Sequence, residues 1–299
     1  MGLNTKIEWC DHTWSPTIGC SKVSEACNNC YMFRWAKRAG IDPHTVHRAS
    51  DKVFRLPLSK KIKSGDKVFV CSLSDFWHEG MLPKDRRDAW DIMEQRSDVT
   101  FLILTKRPEN IDIAMKENGL RPLPNIWCGI TAENTRCWVQ RMKCFSETEL
   151  YRQSPVRFVS IEPMLGDMTM ILKHDLARHD IDWIIVGGES GGIESRPLKY
   201  EWAEDVRKLA SHYNIPFFMK QWGAWQPLRQ DAGEIEQNIV DKCLSNDIKY
   251  GKWIEDDFYR ARGTGISGFC APSHSIYVGA KNAGAVINGE LIQEFPNEN

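Results

Sequence analysis

From residue 68 onward the chain alternates short apolar runs with polar clusters and helix-like segments. The runs are "KVFVCSLSD", "VTFLILTKRPEN", "NIWCGITAEN", "VRFVSIEPMLG", "IDWIIVGGESGG" and "IPFFMKQWG". Their β-branched and aromatic centres are continuous rather than alternating, the pattern of parallel strands covered on both faces. Successive starts lie about 25 to 35 residues apart, the length of one strand-helix unit. Helical periodicity fills the intervals, as in Lys84 to Gln95, Trp138 to Phe145 and Glu201 to Tyr213. "HTWSPTIG", His12 to Gly19, is the expected opening strand, and "CYMFRWAKRAG" reads as the first helix, stopped at Gly40. The expected fold class is α/β, a partial or complete parallel (β/α) barrel.

In sheets of this kind chemistry collects at the C-terminal ends of the strands. Those ends carry Ser72, Ser74 and Asp75; Thr105, Lys106, Arg107 and Glu109; Thr131, Glu133 and Asn134; Ser160 and Glu162; Glu189 and Ser190; and Lys220 with Gln221. Six polar ends in succession would converge on one mouth. The repetition stops after Trp222, so residues 1–225 are expected to form the barrel and 226–299 a C-terminal elaboration. Residues 226 to 270 show no clear period and read as an irregular or small helical insertion. Asn288-Gly289, between alternating apolar residues, predicts a two-residue hairpin and a closing β-ribbon.

Composition changes this picture little. The chain has 299 residues, 42% hydrophobic and 26% charged, with a formal charge of -1. Bulk charge therefore recruits neither nucleic acid nor an anionic membrane. One local exception is Lys52 to Lys67, where six residues are Lys or Arg; a solvated face is the plain reading and a phosphate contact the functional one. No apolar run approaches the roughly 20 residues of a membrane span, and the N-terminus lacks a signal-peptide pattern. A cytoplasmic protein without membrane association is the expectation. The twelve tryptophans could stack on nucleobases, but core packing accounts for them equally well. His78, beside Trp77, reads as a packed histidine before a catalytic one.

Ten cysteines in such a compartment are expected to be thiols. Cys71, Cys128 and Cys243 lie in apolar stretches and read as small core residues. Only Cys20, Cys27 and Cys30, spaced C-x6-C-x2-C on a strand-to-helix loop, are clustered as ligands would be. A structural zinc would need Cys10 or His12 as its fourth ligand, whereas a [4Fe-4S] cluster needs only three thiolates if one iron is to stay open. Spacing alone supports the two equally. Two features favour the cluster: no second C-x2-C or His pair follows, and the aromatic Tyr31 directly after the last cysteine can shield such a group from water.

Together, "IEWCDHTWSPTIGCSKVSEACNNCY", "SLSDFWHE", "LILTKRPENI", "NIWCGITAEN", "FVSIEPMLG", "IIVGGESG", "PFFMKQWG" and "INGELIQEFP" resemble a phage-associated three-Cys-motif family similar to radical S-adenosylmethionine enzymes. The likeness runs in order from Lys6 to Pro296. The usual radical S-adenosylmethionine spacing is C-x3-C-x2-C, so this first gap is longer, and Cys10 stands where the family has Thr. The resemblance implies a barrel of the radical S-adenosylmethionine type, a [4Fe-4S] cluster on Cys20, Cys27 and Cys30, and S-adenosylmethionine on its open iron. A weaker similarity to spore photoproduct lyase implies cofactor contacts from Ser74, with Asp75, and from Lys106. Gly187 to Glu189 resembles the superfamily's glycine motif but lies on a late strand, so that role is not carried over.

Roles follow as expectations. Lys106 would neutralise the cofactor carboxylate, and Ser74, Thr131 or Asn134 would hydrogen-bond its ribose or amino acid part. Glu162 and Glu189 would orient substrate or move protons, and Lys220 with Gln221 would clamp an anionic group. An external electron donor is required, a partner protein is allowed, and a nucleotide or nucleic acid is the expected substrate class. The competing reading is a zinc-stapled nucleic-acid-binding or accessory protein without catalysis. A third, a barrel hydrolase using Glu162 and Glu189 with a divalent metal, leaves the cysteines without a role.

Overall fold

A computed structural model describes residues 2–228, 248–254, 257–263, 274–279 and 284–296. Two compact units emerge: Met1–Ala132 with Arg136–Ser160 and His179–Asp182, and Glu133–Thr135 with Ile161–Arg178 and Trp183–Asn299.

The first unit opens with β1 (His12–Trp14), which breaks at Pro16 before the two-residue β2 (Thr17–Ile18). The single strand expected over His12 to Gly19 is thus two, because β2 turns aside to pair antiparallel with β3 (His47–Arg48). Between them lies α1 (Tyr31–Ala39), whose C-cap Gly40 adopts φ 67°, as the Gly stop predicts. After the short α2 (Asp51–Phe54), the chain runs through β4 (Lys67–Val70), α3 (Pro83–Gln95), β5 (Thr100–Thr105), α4 (Ile111–Glu117), β6 (Ile126–Thr131), α5 (Thr135–Ser146), α6 (Glu149–Gln153) and β7 (Arg157–Ile161). Strands β1, β4, β5, β6 and β7 pair in that order, all parallel. Their residues are buried almost without interruption, as continuous apolar runs require. Trp9 packs on Phe69 at 4.6 Å, and Trp77 and Trp90 lie 5.9 Å apart.

The second unit contains α7 (Thr169–Asp175), β8 (Trp183–Gly187), α8 (Tyr200–His212) and β9 (Phe217–Gln221), with β8 and β9 parallel. Seven parallel strands follow the strand-helix grammar, one fewer than a complete eight-stranded barrel, so the α/β class holds and the strand count is that of a partial one.

Beyond β9, where residues 226–270 are described, strands stand in place of the irregular or helical insertion. Among the described residues, β10 (Trp225–Leu228), β11 (Ile248–Ile254), β12 (Asp257–Gly263) and β13 (His274–Tyr277) form an antiparallel sheet ordered β10-β13-β11-β12. The β-branched and aromatic content of "IKYGKWI" and "DFYRARG" carried that signal, diluted by charge. Cys243 falls outside the described residues. The closing ribbon is present: β14 (Val286–Ile287) pairs with β15 (Glu290–Leu291) across Asn288 and Gly289, whose φ values of 53° and 81° are those of a primed hairpin turn.

Core packing absorbs most of the tryptophans. Trp9, Trp14, Trp77, Trp90, Trp138, Trp183, Trp222 and Trp225 are all fully buried. No helix among the described residues is long and apolar enough to cross a membrane.

Candidate functional site

The cysteine loop is built on glycine. Gly19 sits at φ 110°, its N–H donating to the Leu73 carbonyl at 3.1 Å, and a Cβ there would fall 2.1 Å from the Thr45 carbonyl oxygen. Only Gly satisfies both demands, so the chain turns from β2 into the loop at the end of β4. Cys20 and Cys30 then pack against one small core of Met32, Ala36 and Leu73, and Cys27 is buried in electrostatic reach of both. Tyr31 is half exposed, and its hydroxyl donates to the Ser72 carbonyl at 2.5 Å, tying helix α1 to the β4 end.

Each sulfur has a polar neighbour, Ser24 Oγ lying 3.9 Å from Cys27 Sγ. Arg107 Nη1 lies 3.5 Å from Cys20 Sγ. The Met32 and Phe33 N–H groups, at the start of α1, act on Cys30 without a full capping hydrogen bond, and the Lys106 ammonium adds to them. Burial nonetheless pushes the Cys20 thiol up to about 11, against the pull of Arg107, and raises Cys30 in the same way. Both sulfurs therefore carry protons when nothing replaces them, in surroundings whose donors suit thiolates.

Both fourth ligands that the sequence offered a zinc have other partners. Both ring nitrogens of His12 are engaged, Nδ1 by the Asn4 N–H at 3.0 Å and Nε2 by Asp66 at 2.9 Å. The Cys10 thiol donates to the Ile7 carbonyl at 3.7 Å. Among the described residues no three His, Cys, Asp or Glu side chains are gathered as a group that could hold a metal ion.

Beside the loop lies a buried polar network at the ends of β4 and β5. Asp75, 5% exposed, accepts from Thr105 Oγ1 at 2.8 Å, the Trp77 N–H at 3.0 Å, the Lys106 N–H at 3.1 Å and Arg107 Nη1 at 3.3 Å. Arg107 Nη2 reaches the Ser21 carbonyl at 2.9 Å and its hydroxyl at 2.8 Å. His78 completes the network: its Nε2 lies 3.0 Å from Ser21 Oγ and its Nδ1 accepts from the Gly80 N–H at 2.8 Å. Burial, then repulsion by Arg107, lowers the His78 pKa. His78 is thus packed and hydrogen-bonded, as its setting beside Trp77 indicated. Ser74 donates to the Thr17 carbonyl at 2.9 Å and accepts from the Thr17 hydroxyl at 3.2 Å. Thr131 is buried at the end of β6, where its carbonyl accepts from Arg141 at 2.8 Å.

The remaining strand-end residues belong to the second unit. Glu162, after β7, forms an ion pair with Lys220, at the end of β9. A Cβ on Gly187 would stand 3.3 Å from the Glu162 side chain, so a glycine leaves that carboxylate its room. Glu189, 4% exposed, accepts from the Arg196 N–H at 2.8 Å and from its guanidinium at 3.1 Å. Gln221 donates to Ser190 Oγ at 2.6 Å. Asn134 is partly buried in the residues just before α5.

Arg107 and Ser21 were not singled out as site residues from sequence, although Arg107 stood in the strand-end cluster. The two-residue alternation of an extended chain held the signal, since it sets Thr105 and Arg107 on one side and Lys106 on the other. Both of the former bond Asp75.

A family profile described as "Protein of unknown function (DUF5131)" matches residues 4–296. The chain belongs to this family. No curated protein and no solved structure matches it. The match extends through the cysteine loop, both strand-end groups and the closing ribbon of this DUF5131 member, so all of them are family territory.

Proposed function

We propose that this protein is a radical S-adenosylmethionine enzyme in which Cys20, Cys27 and Cys30 hold a [4Fe-4S] cluster with one iron left for the cofactor. The observation that carries the reading is a three-thiol loop for which the fourth ligands that the sequence offered, Cys10 and His12, are committed to other partners. Bound there, the group supplies one-electron cleavage of the cofactor's carbon-sulfur bond, giving a 5'-deoxyadenosyl radical that abstracts hydrogen from an unactivated carbon; the electron comes from an external donor.

The chain's own part is binding, orientation and exclusion of water. Lys106, partly buried and acting on Cys30, is the cation for the cofactor carboxylate. Asp75 holds the Lys106 and Arg107 backbone and side-chain donors in place, which makes it a scaffold for that end of β5. Ser74 and Thr131 are the hydrogen-bonding residues for the rest of the cofactor. In the second unit Glu162 and Lys220 form a paired acid and base for proton movement, and Glu189 is held by Arg196. Two carboxylates each already bound to a cation do not offer the divalent-metal site that the hydrolase reading requires.

A nucleotide or nucleic acid is the substrate class we infer. Lys52, Arg55, Lys60 and Lys61 are exposed and form no salt bridge among the described residues, whereas arginines elsewhere in the unit, such as Arg48, Arg96 and Arg121, are paired. Uncompensated cations of this kind suit phosphate.

Anaerobic purification tests the proposal. A brown protein with about four irons and matching sulfide per chain, bleached by dithionite, is expected, together with 5'-deoxyadenosine on adding S-adenosylmethionine and reductant. Replacing any one of the three cysteines with Ala removes both. Colourless protein holding one zinc would overturn the reading in favour of the stapled, non-catalytic alternative.

A further inference from the structure

We propose that Arg107 sets the reduction potential of the metal centre through its contact with the Cys20 sulfur, an inference that rests on the cluster reading above. Arg107 is 2% exposed, so its charge is not screened by water at short range. Its Nη1 lies 3.5 Å from Cys20 Sγ, and the fork is held from the other side by two contacts to Ser21, at 2.9 and 2.8 Å. Asp75 Oδ2, 3.3 Å from Nη1, fixes the same nitrogen. The position is therefore over-determined: three contacts from Ser21 and Asp75, with Glu79 3.3 Å from Nε, direct one N–H group at one sulfur.

A guanidinium has donors only, so it cannot accept the proton of a neutral thiol, whose sulfur is only a weak acceptor in return. The contact gains its strength when the sulfur is anionic, as a ligating thiolate is. Cys27 and Cys30 have no guanidinium contact of this kind among the described residues; Cys30 faces backbone N–H groups and the charge of the partly buried Lys106, and Ser24 Oγ stands 3.9 Å from Cys27. The three sulfurs are thus unequal, and one carries a buried full charge at its side.

One-electron reduction of a cluster increases its negative charge, and part of that charge resides on the ligand sulfurs. A fixed cation and N–H donor at Cys20 favours the reduced form over the oxidised one, raising the potential. The electron is supplied by the external donor; Arg107 exchanges neither electron nor proton. It is a positioning residue. Asp75 opposes the effect and would act without restraint once Arg107 is gone, so neutralising Arg107 moves the potential further than removal of one hydrogen bond alone.

The experiment is an EPR-monitored redox titration of the anaerobically reconstituted full chain, after iron and sulfide have been counted. Arg107→Gln is compared with Arg107→Lys, which keeps the charge and loses the fork, and with Arg141→Lys, a buried arginine bonded to the Thr131 carbonyl. In Arg107→Gln the reduction equilibrium is expected to fall by about tenfold or more, which is about 59 mV for one electron, with a smaller fall in Arg107→Lys and none in Arg141→Lys. A wild-type chain that holds no cluster overturns the function proposed above. A wild-type cluster whose potential is the same in both Arg107 variants overturns the assignment of Arg107 alone, as does an equal shift in Arg141→Lys. Should Arg107→Gln fail to fold, Arg107→Lys against Arg141→Lys still decides it.

Discussion

Replacing Asp75 with Asn tests the buried network independently of any cofactor. In the folded chain Oδ1 accepts from Thr105 Oγ1 and the Trp77 N–H, while Oδ2 accepts from Thr105 Oγ1, the Lys106 N–H and Arg107 Nη1. An amide of the same shape keeps one oxygen. Its NH2 group then faces the donors of the other side, leaving Lys106 N–H and Arg107 Nη1 without their acceptor, at about 1 to 3 kcal/mol each when buried. The guanidinium also loses its buried counter-charge; Glu79, 3.3 Å away and 65% exposed, replaces little of it. Breaking one partner of a buried pair typically costs about 3 to 5 kcal/mol, and the sum here falls in that range. Urea unfolding should show a midpoint lower by about 1 M or more at unchanged slope. Adding Arg107→Met to Asp75→Asn removes the stranded charge and should recover part of the loss, giving a double-mutant coupling of about 2 kcal/mol. An Asp75→Asn chain within about 1 kcal/mol of wild type, or a cycle with no coupling, would refute the network as drawn.

Other consequences follow from the same geometry. Because burial holds the His78 pKa below its unfolded value, stability is present above that value, near 6.5, and is lost as pH falls from there through the folded pKa; His78→Asn should flatten that limb of a pH-dependent unfolding series. Gly19→Ala meets both φ 110° and an oxygen 2.1 Å from the new Cβ, so it should cost several kcal/mol in a thermal melt and lower metal incorporation. Gly289→Val forces a β-branched residue to φ 81° in the closing turn, and should lower stability by about 1 kcal/mol or more with metal content unchanged. Charge reversal at Lys60 and Lys61 should weaken single-stranded nucleic-acid binding and reduce the slope of log K against log salt by about 1.4, read in a fluorescence titration; an unchanged slope removes the patch from the phosphate path.

Legibility of the fold followed the range of the interactions. The helices expected at Lys84 to Gln95 and Glu201 to Tyr213 are present as Pro83–Gln95 and Tyr200–His212, because amphipathic periodicity is written within a few turns of chain. The Asn288-Gly289 hairpin is equally local, since turn type depends on which two residues can adopt positive φ. Strands β11 and β12 were missed for the opposite reason: Lys249, Lys252, Arg260 and Arg262 blurred the apolar signal, and strand identity there rests on pairing with β13. At the site, the loop carrying Cys20, Cys27 and Cys30 was visible from spacing, whereas the status of Cys10 and His12 was not.

By itself, the amino-acid sequence determined the α/β repetition, the strand-to-helix loop that carries the three thiols, and the stop at Gly40, all of them matters of short-range period and backbone permission. Tertiary structure alone decided the partners: Arg107 for Cys20, 87 positions away, Asp66 for His12, and Lys220 for Glu162. The reason is that a polar side chain brought out of water takes whatever complementary group the fold sets within about 3 Å, and neighbours in space are not written in the order of residues.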